Sequence, residues 1–299
     1  MKTEEFLEYI KKERNYSDYT IRSYRIDLQQ FISFIKDVNA QELLPDEEPS
    51  SKDIRLWLMQ LKHDNISSRS INRKIATLRS YYRFLSLKYP EIFSQTGNPM
   101  AKIIAPKVAK RKISQVFEED MQQLLEEVPN EDDFISFRNY FIIEILYCTG
   151  IRRSELLSLK NSDFNLQAKQ IKVFGKGKKE RIIPLGEKII EHFIKYIGIK
   201  QRLNLNNEFL IVDEKNKVLS EYKLYYLVHK RLENINVGEK SPHVFRHTCA
   251  THLLNNGAEI NNVKNLLGHT SLSATEVYTH TTIEQLKKEY KNSFKSINK

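Results

Sequence analysis

QIKVFGKGKKERIIPL, residues Gln170 to Leu185, is the stretch on which the fold class turns. Gln170–Phe174 and Glu180–Leu185 read as strands, and Gly175-Lys176-Gly177-Lys178 between them reads as a glycine-rich turn, so the stretch predicts a β-hairpin. The glycines permit a tight bend and the lysines project from it. A nucleotide-binding P-loop is excluded, because the GxxxxGK[ST] spacing is absent and a strand, not a helix, follows.

On either side the pattern is helical. Upstream, Ile21, Tyr24, Leu28, Phe31 and Ile35 recur at helical spacing behind the cap candidate Ser17. Ile54, Trp57, Leu58 and Leu61 follow the cap candidates Ser50 and Ser51, and Ile71, Ile75, Leu78, Tyr82 and Leu85 form a third stripe. Acidic QELLPDEEPS (Gln41 to Ser50) reads as a loop. An apolar helix over Phe134–Cys148 ends at Gly150. Downstream, helices are expected over Glu187–Lys200, Glu221–Asn234, Pro242–Asn255 and Glu259–Leu267, with a final stripe of Ile283, Leu286, Tyr290 and Phe294; Phe209–Val212 is expected as one more short strand. The fold class is therefore mainly α with a small β-hairpin or sheet in its second part.

Charge marks a boundary. Asn65–Lys112 holds eleven Lys or Arg and one acid, Glu91, whereas Ile113–Gly150 holds one Arg and nine acids. Gly97, Asn98 and Pro99 break the helical pattern before this switch, and PKVAKRK (Pro106 to Lys112) reads as an extended basic linker. The whole chain carries a formal charge of +10, which points to a polyanionic partner such as nucleic acid or anionic lipid. The two cysteines, Cys148 and Cys249, sit in apolar runs and read as buried thiols of a reducing compartment. No signal peptide and no apolar run long enough to span a bilayer are present, so a cytoplasmic protein without a membrane partner is expected.

Five local signals carry chemistry. In CTGIRRSELLSL (Cys148 to Leu159) an arginine follows a helix-ending Thr-Gly and can point into a cleft; by itself the signal favours a surface arginine paired with Glu155. The basic turn at Lys176 is the second. In SPHVFRHTCATHLL (Ser241 to Leu254), Ser241 suits a helix cap and Pro242 its first turn. His243 and Arg246, three apart, share a helical face and pair a titratable group with a permanent cation. Zinc binding by His243 and His247 lacks the following Glu and a third ligand, so no metal and no other cofactor are expected. His247 and His252 read as partly buried structural histidines. LLGHTS (Leu266 to Ser271) leaves His269 just past a helix end, and ATEVYTH contains Tyr278, one short helix further on.

The order TGIR, GKGK, HxxR, LLGH, YTH resembles the tyrosine recombinase family, most closely its Xer-type bacterial members. The resemblance covers nearly the whole chain. It implies a two-domain architecture: a helical, SAM-like core-binding domain over 1–105, the basic linker 106–112, and an α+β catalytic domain with a C-terminal helix over 113–299. By residue match the catalytic positions are Arg152, Lys176, His243, Arg246, His269 and the nucleophile Tyr278. Two departures stand out: Arg153, which leaves open which of two adjacent arginines takes the role, and the lengthened acidic loop.

These residue types suit phosphodiester chemistry. Two arginines can hold the non-bridging oxygens as planar forks while negative charge builds. A tyrosine hydroxyl, with a pKa of about 10, needs a proton acceptor such as His243 before it attacks. Lys176 is the candidate acid for the departing 5′ oxygen, and His269 a hydrogen-bond donor to the phosphate. The resemblance implies a 3′-phosphotyrosyl intermediate, no metal and no ATP. It implies double-stranded DNA at a specific site as partner, and a homo- or heterotetramer on two duplexes, with a sister recombinase in the second case. The rival readings are a type IB topoisomerase-like relaxing enzyme, a DNA-binding protein with a dead site, and a metal-dependent nuclease.

Overall fold

The structure is a computed structural model that describes residues 1–39, 48–94, 97–108, 115–175 and 180–268. The chain divides into two compact units, Met1–Arg111 and Lys112–Lys299.

In the first unit four helices bury one face each: α1 (Thr3–Lys12), α2 (Asp18–Asn39), α3 (Ser51–His63) and α4 (Ser68–Lys88). Their starts are set by serine caps. Ser17 accepts from the Thr20 amide at 3.3 Å, Ser67 from that of Ser70 at 3.3 Å, and Ser50 exchanges bonds with Asp53 in a capping box. Phe6, Leu28, Phe31, Ile54, Trp57, Ile75 and Tyr82 fill the core between them. One carboxylate is buried with them. Asp27 of α2 accepts from Lys74 Nζ and Thr77 Oγ1 of α4, each at 2.9 Å, and from Arg73. A buried charge is tolerable only when its lone pairs are filled in this way. Of QELLPDEEPS, residues 41–47 lie outside the described residues, as do 109–112 of the linker.

The second unit is built around α6 (Phe134–Thr149), which is apolar on all sides and almost wholly buried. Such a helix must be enclosed by others. α8 (Glu187–Arg202) and α10 (Pro242–Asn255) pack against it, α5 (Glu118–Glu126) adds Met121, Leu124 and Leu125 to the same core, and α7 (Arg153–Ser158), α9 (Glu221–Arg231) and α11 (Ile260–Leu267) complete the unit. The predicted hairpin is present as β2 (Gln170–Phe174) and β3 (Glu180–Pro184), with Ile171 opposite Ile183. A third antiparallel strand, β1 (Phe164–Asn165), pairs with β2, giving the order β1-β2-β3. The strand expected at Phe209–Val212 does not form. Its end residues make only isolated bridges, Phe209 to Lys160 and Val212 to Val218, because no neighbouring segment runs beside it for longer. The expected final stripe from Ile283 to Phe294 lies outside the described residues. Among the described residues no helix is long and apolar enough to cross a membrane.

Candidate active site

The site forms where three helix ends and one strand meet. α6 stops at Gly150, whose φ of +60° is the left-handed conformation that glycine adopts without strain. A Cβ there would lie 2.5 Å from Leu267 Cδ2 and 3.3 Å from Cys249 Sγ, so the bare residue leaves room for these two buried side chains. Two residues on, Arg152 is extended and caps α7, with its amide donating to Glu155 Oε2 at 2.7 Å. α11 ends in the same manner at Gly268, φ +66°.

Three arginines hold the end of α11. Arg181 Nε donates to the Leu266 carbonyl at 2.8 Å, Arg246 Nη2 to that of Leu267, and Arg152 Nη2 to that of Gly268 at 3.2 Å. Consecutive carbonyls that the helix cannot satisfy itself, at its negative end, are thus each met by a guanidinium. Arg246 also reaches back to the Gly150 carbonyl at 2.7 Å, tying α10 to the end of α6. Glu155 is the only acid hydrogen-bonded within the cluster among the described residues. It accepts both Nη atoms of Arg181, at 3.0 and 2.8 Å, and Nη1 of Arg152 at 2.8 Å. Three guanidinium groups against one carboxylate leave two positive charges uncompensated, a setting suited to an anion.

Titration behaviour follows. Burial pushes the Glu155 carboxyl up, but the bonds from Arg181 and Arg152 outweigh it and hold it at about 2. Burial, reinforced by Arg152 and Arg181, lowers Arg246 to about 10, so it remains charged at neutral pH. Partial desolvation of His243, opposed by Glu239 and reinforced by Arg153, His247 and Arg246, holds its imidazole below the ordinary 6.5. A neutral imidazole can accept a proton.

Of the six expected positions, Arg152 and Arg246 come together on adjacent carbonyls of α11, and His243 lies one turn before Arg246 on α10. Lys176, His269 and Tyr278 lie outside the described residues; Gly175 and Gly268 are their described neighbours in the chain. Arg153 is paired with Glu221 of α9 at 2.7 Å and bonds to none of the α11 carbonyls that Arg152 and Arg246 hold. Arg152 does pair with Glu155, yet in the cluster rather than as a mere surface couple. Some expectations change. Ser241 precedes α10 in extended conformation but does not cap it, its hydroxyl donating to Glu239 at 3.2 Å instead. His252 is buried against the Tyr147 hydroxyl at 2.8 Å, whereas His247 is exposed. Cys148 and Cys249 are buried, as expected.

Sequence reasoning missed Arg181, and it named Glu155 only as the partner of a surface arginine. Each left a trace. Glu155 stands three residues after Arg152, the spacing of a reciprocal pair at a helix start, and Arg181 occupies an inward strand position in phase with Ile183.

Comparison with known proteins gives a consistent picture. Residues 115–285 match the pattern of the Phage integrase family, and residues 3–88 that of the phage integrase N-terminal SAM-like domain. Tyrosine recombinase XerC of Staphylococcus aureus is 38% identical over 294 residues, covering 97% of this chain and 95% of that protein. The Staphylococcus epidermidis XerC is 39% identical over 296 residues, covering 97% and 96%. Among solved structures, the XerH site-specific recombinase bound to palindromic difH substrate, a post-cleavage complex, has a similar fold. Its TM-score is 0.70 at 22% identity, covering 97% of this chain and 84% of that one.

Proposed function

This chain belongs to the phage integrase family and is a Xer-type site-specific tyrosine recombinase that cleaves and rejoins DNA; from that premise we propose that Tyr278 is its nucleophile and that Arg152 and Arg246 hold the scissile phosphate. The recombinase relatives do not favour the topoisomerase-like alternative. The observation that carries the assignment is the arginine cluster, whose two uncompensated charges stand where the segments bearing Arg152, Arg246 and the chain entering His269 meet.

In the proposed reaction the Tyr278 oxygen attacks phosphorus, its proton passing to His243. A 3′-phosphotyrosyl bond forms and the bond to the 5′ oxygen breaks, with Lys176 supplying the proton that the leaving oxygen takes. Arg152 and Arg246 neutralise the non-bridging oxygens and His269 donates a further hydrogen bond. Attack by a 5′-hydroxyl of another strand reverses these steps, so the energy of the broken bond is kept and no ATP is spent. Double-stranded DNA at a specific site is the partner. Four protomers on two duplexes, alone or with a sister recombinase, and a role in resolving chromosome dimers complete the proposal. The fold likeness to a recombinase solved on its site is in keeping with it.

The decisive test is trapping. On a nicked duplex the wild-type chain forms an SDS-stable adduct in EDTA, and Tyr278→Phe binds the same DNA without forming one. An adduct persisting in Tyr278→Phe means that another nucleophile acts.

A further inference from the structure

Arg181 belongs to none of the motifs that carry the proposed chemistry, yet it is buried, 5% exposed, against Glu155 and the end of α11. It leaves β3 on the inward face and spends all its nitrogens on two partners: Nε on the Leu266 carbonyl, Nη1 and Nη2 on Glu155. Glu155 is shared, because Arg152 also binds it through both its amide and Nη1. One carboxylate therefore serves two guanidinium groups. Without Arg181, its whole charge would fall on Arg152, and a phosphate seeking Arg152 would meet an unneutralised anion in a weakly screened setting.

The side chain also sets where α11 ends. Leu266 is the first of the three consecutive carbonyls, and the next two are held by Arg246 and Arg152. At Gly268 a Cβ would lie 3.3 Å from both Arg181 Cδ and Arg181 Nη1, so the chain turns against this side chain one residue before His269. Arg181 is thus in contact with the carboxylate that governs one phosphate-holding arginine and with the segment that governs both.

We propose that Arg181 is a positioning residue for strand cleavage: it neutralises Glu155 so that Arg152 keeps charge for the phosphate, and it registers the end of α11 against Arg152 and Arg246. The proposal rests on the reading that those two arginines hold the scissile phosphate. Lysine at this position would keep the charge but lose the fork, and glutamine would lose both.

The test uses the full chain on a nicked suicide duplex carrying a site recovered by covalent trapping with the wild type. Affinity is read by gel shift and cleavage rate at saturating protein. Arg181→Gln is expected to bind within about threefold of wild type yet cleave about a hundredfold slower, the scale of losing one transition-state donor. Arg181→Lys should fall between, about tenfold slower. Adding Glu155→Gln to Arg181→Gln should recover roughly tenfold in rate, since the unneutralised carboxylate is then gone. A side chain that merely braced the fold would make the double variant no faster than the single, and that result overturns the proposal. Cleavage at the wild-type rate by Arg181→Gln also overturns it. If Arg181→Gln does not fold, Arg181→Lys decides: slower cleavage at unchanged affinity supports the proposal and an unchanged rate overturns it. Arg246→Ala run alongside separates the two readings. Full activity there removes the phosphate-holding assignment itself, whereas a dead Arg246→Ala beside an unimpaired Arg181→Gln removes only the role of Arg181.

Discussion

Glu155 shows how one side chain couples stability to pH. Its folded carboxyl titrates at about 2 against an ordinary 4.5, so it contributes stability above pH 4.5 that is lost as pH falls towards 2. A displacement of this size corresponds to roughly 3 kcal/mol for a buried group. Glu155→Gln should therefore lower the melting temperature at pH 7 and flatten its fall between pH 4.5 and about 2; thermal melts across that window check this, and a slope equal to wild type counts against it. At this scale the sequence was legible where a residue's position in the fold depends on its own chemistry and neighbours in the chain. His243 and Arg246 share a helix, and Arg152 follows a recognisable helix stop. Arg181 was not legible, because its partners Glu155 and Leu266 are 26 and 85 residues away and only folding brings them near.

Elements were read well where one face had a single destination. α10 spans the residues expected of it, and the hairpin strands pair as expected. Two misjudgements have one cause. β1 is two residues long, too short to show an alternating pattern, and Phe209–Val212 has apolar residues that are buried without a strand beside them. Burial, not pairing, explains its composition. The helix ends yield a prediction. Gly150→Ala imposes a left-handed alanine and a Cβ 2.5 Å from Leu267 Cδ2, so the buried Leu267 side chain must move at the end of α11. Cleavage should drop at least about tenfold, with a destabilisation of roughly 1–3 kcal/mol. Gly198→Ala inside α8 meets nothing within 4 Å and should be neutral or stabilise by about 0.5–1 kcal/mol. Denaturant melts and single-turnover cleavage of the two variants check the pair; equal effects would refute the steric account.

Among the described residues the two units hold separate cores, each enclosing carboxylates whose oxygens are filled by hydrogen bonds. In the first unit Asp27 accepts from Lys74, Thr77 and Arg73; in the second, Glu155 accepts from Arg181 and Arg152, and Glu144 meets His192 at 2.8 Å. Asp27→Ala leaves Lys74 enclosed without its partner and should cost the first unit about 3–5 kcal/mol. Calorimetry is expected to show that unit's transition moving down while the other stays; a single transition shifting as a whole would contradict independent cores. The helical break at Gly97, Asn98 and Pro99 and the change from basic to acidic composition near residue 112 marked two parts, but not which groups seal each core: Asp27 looks like an ordinary surface acid in a linear reading, and Glu144, although set in an apolar helix, does not show its partner His192, 48 residues away.

The clasp of Arg181, Arg246 and Arg152 on three successive carbonyls has a consequence for synthesis. Its members are drawn from positions 152 to 268, so a growing polypeptide cannot close it until residue 268 has emerged. A copy cut short before Leu266 has none of the three carbonyls to clasp.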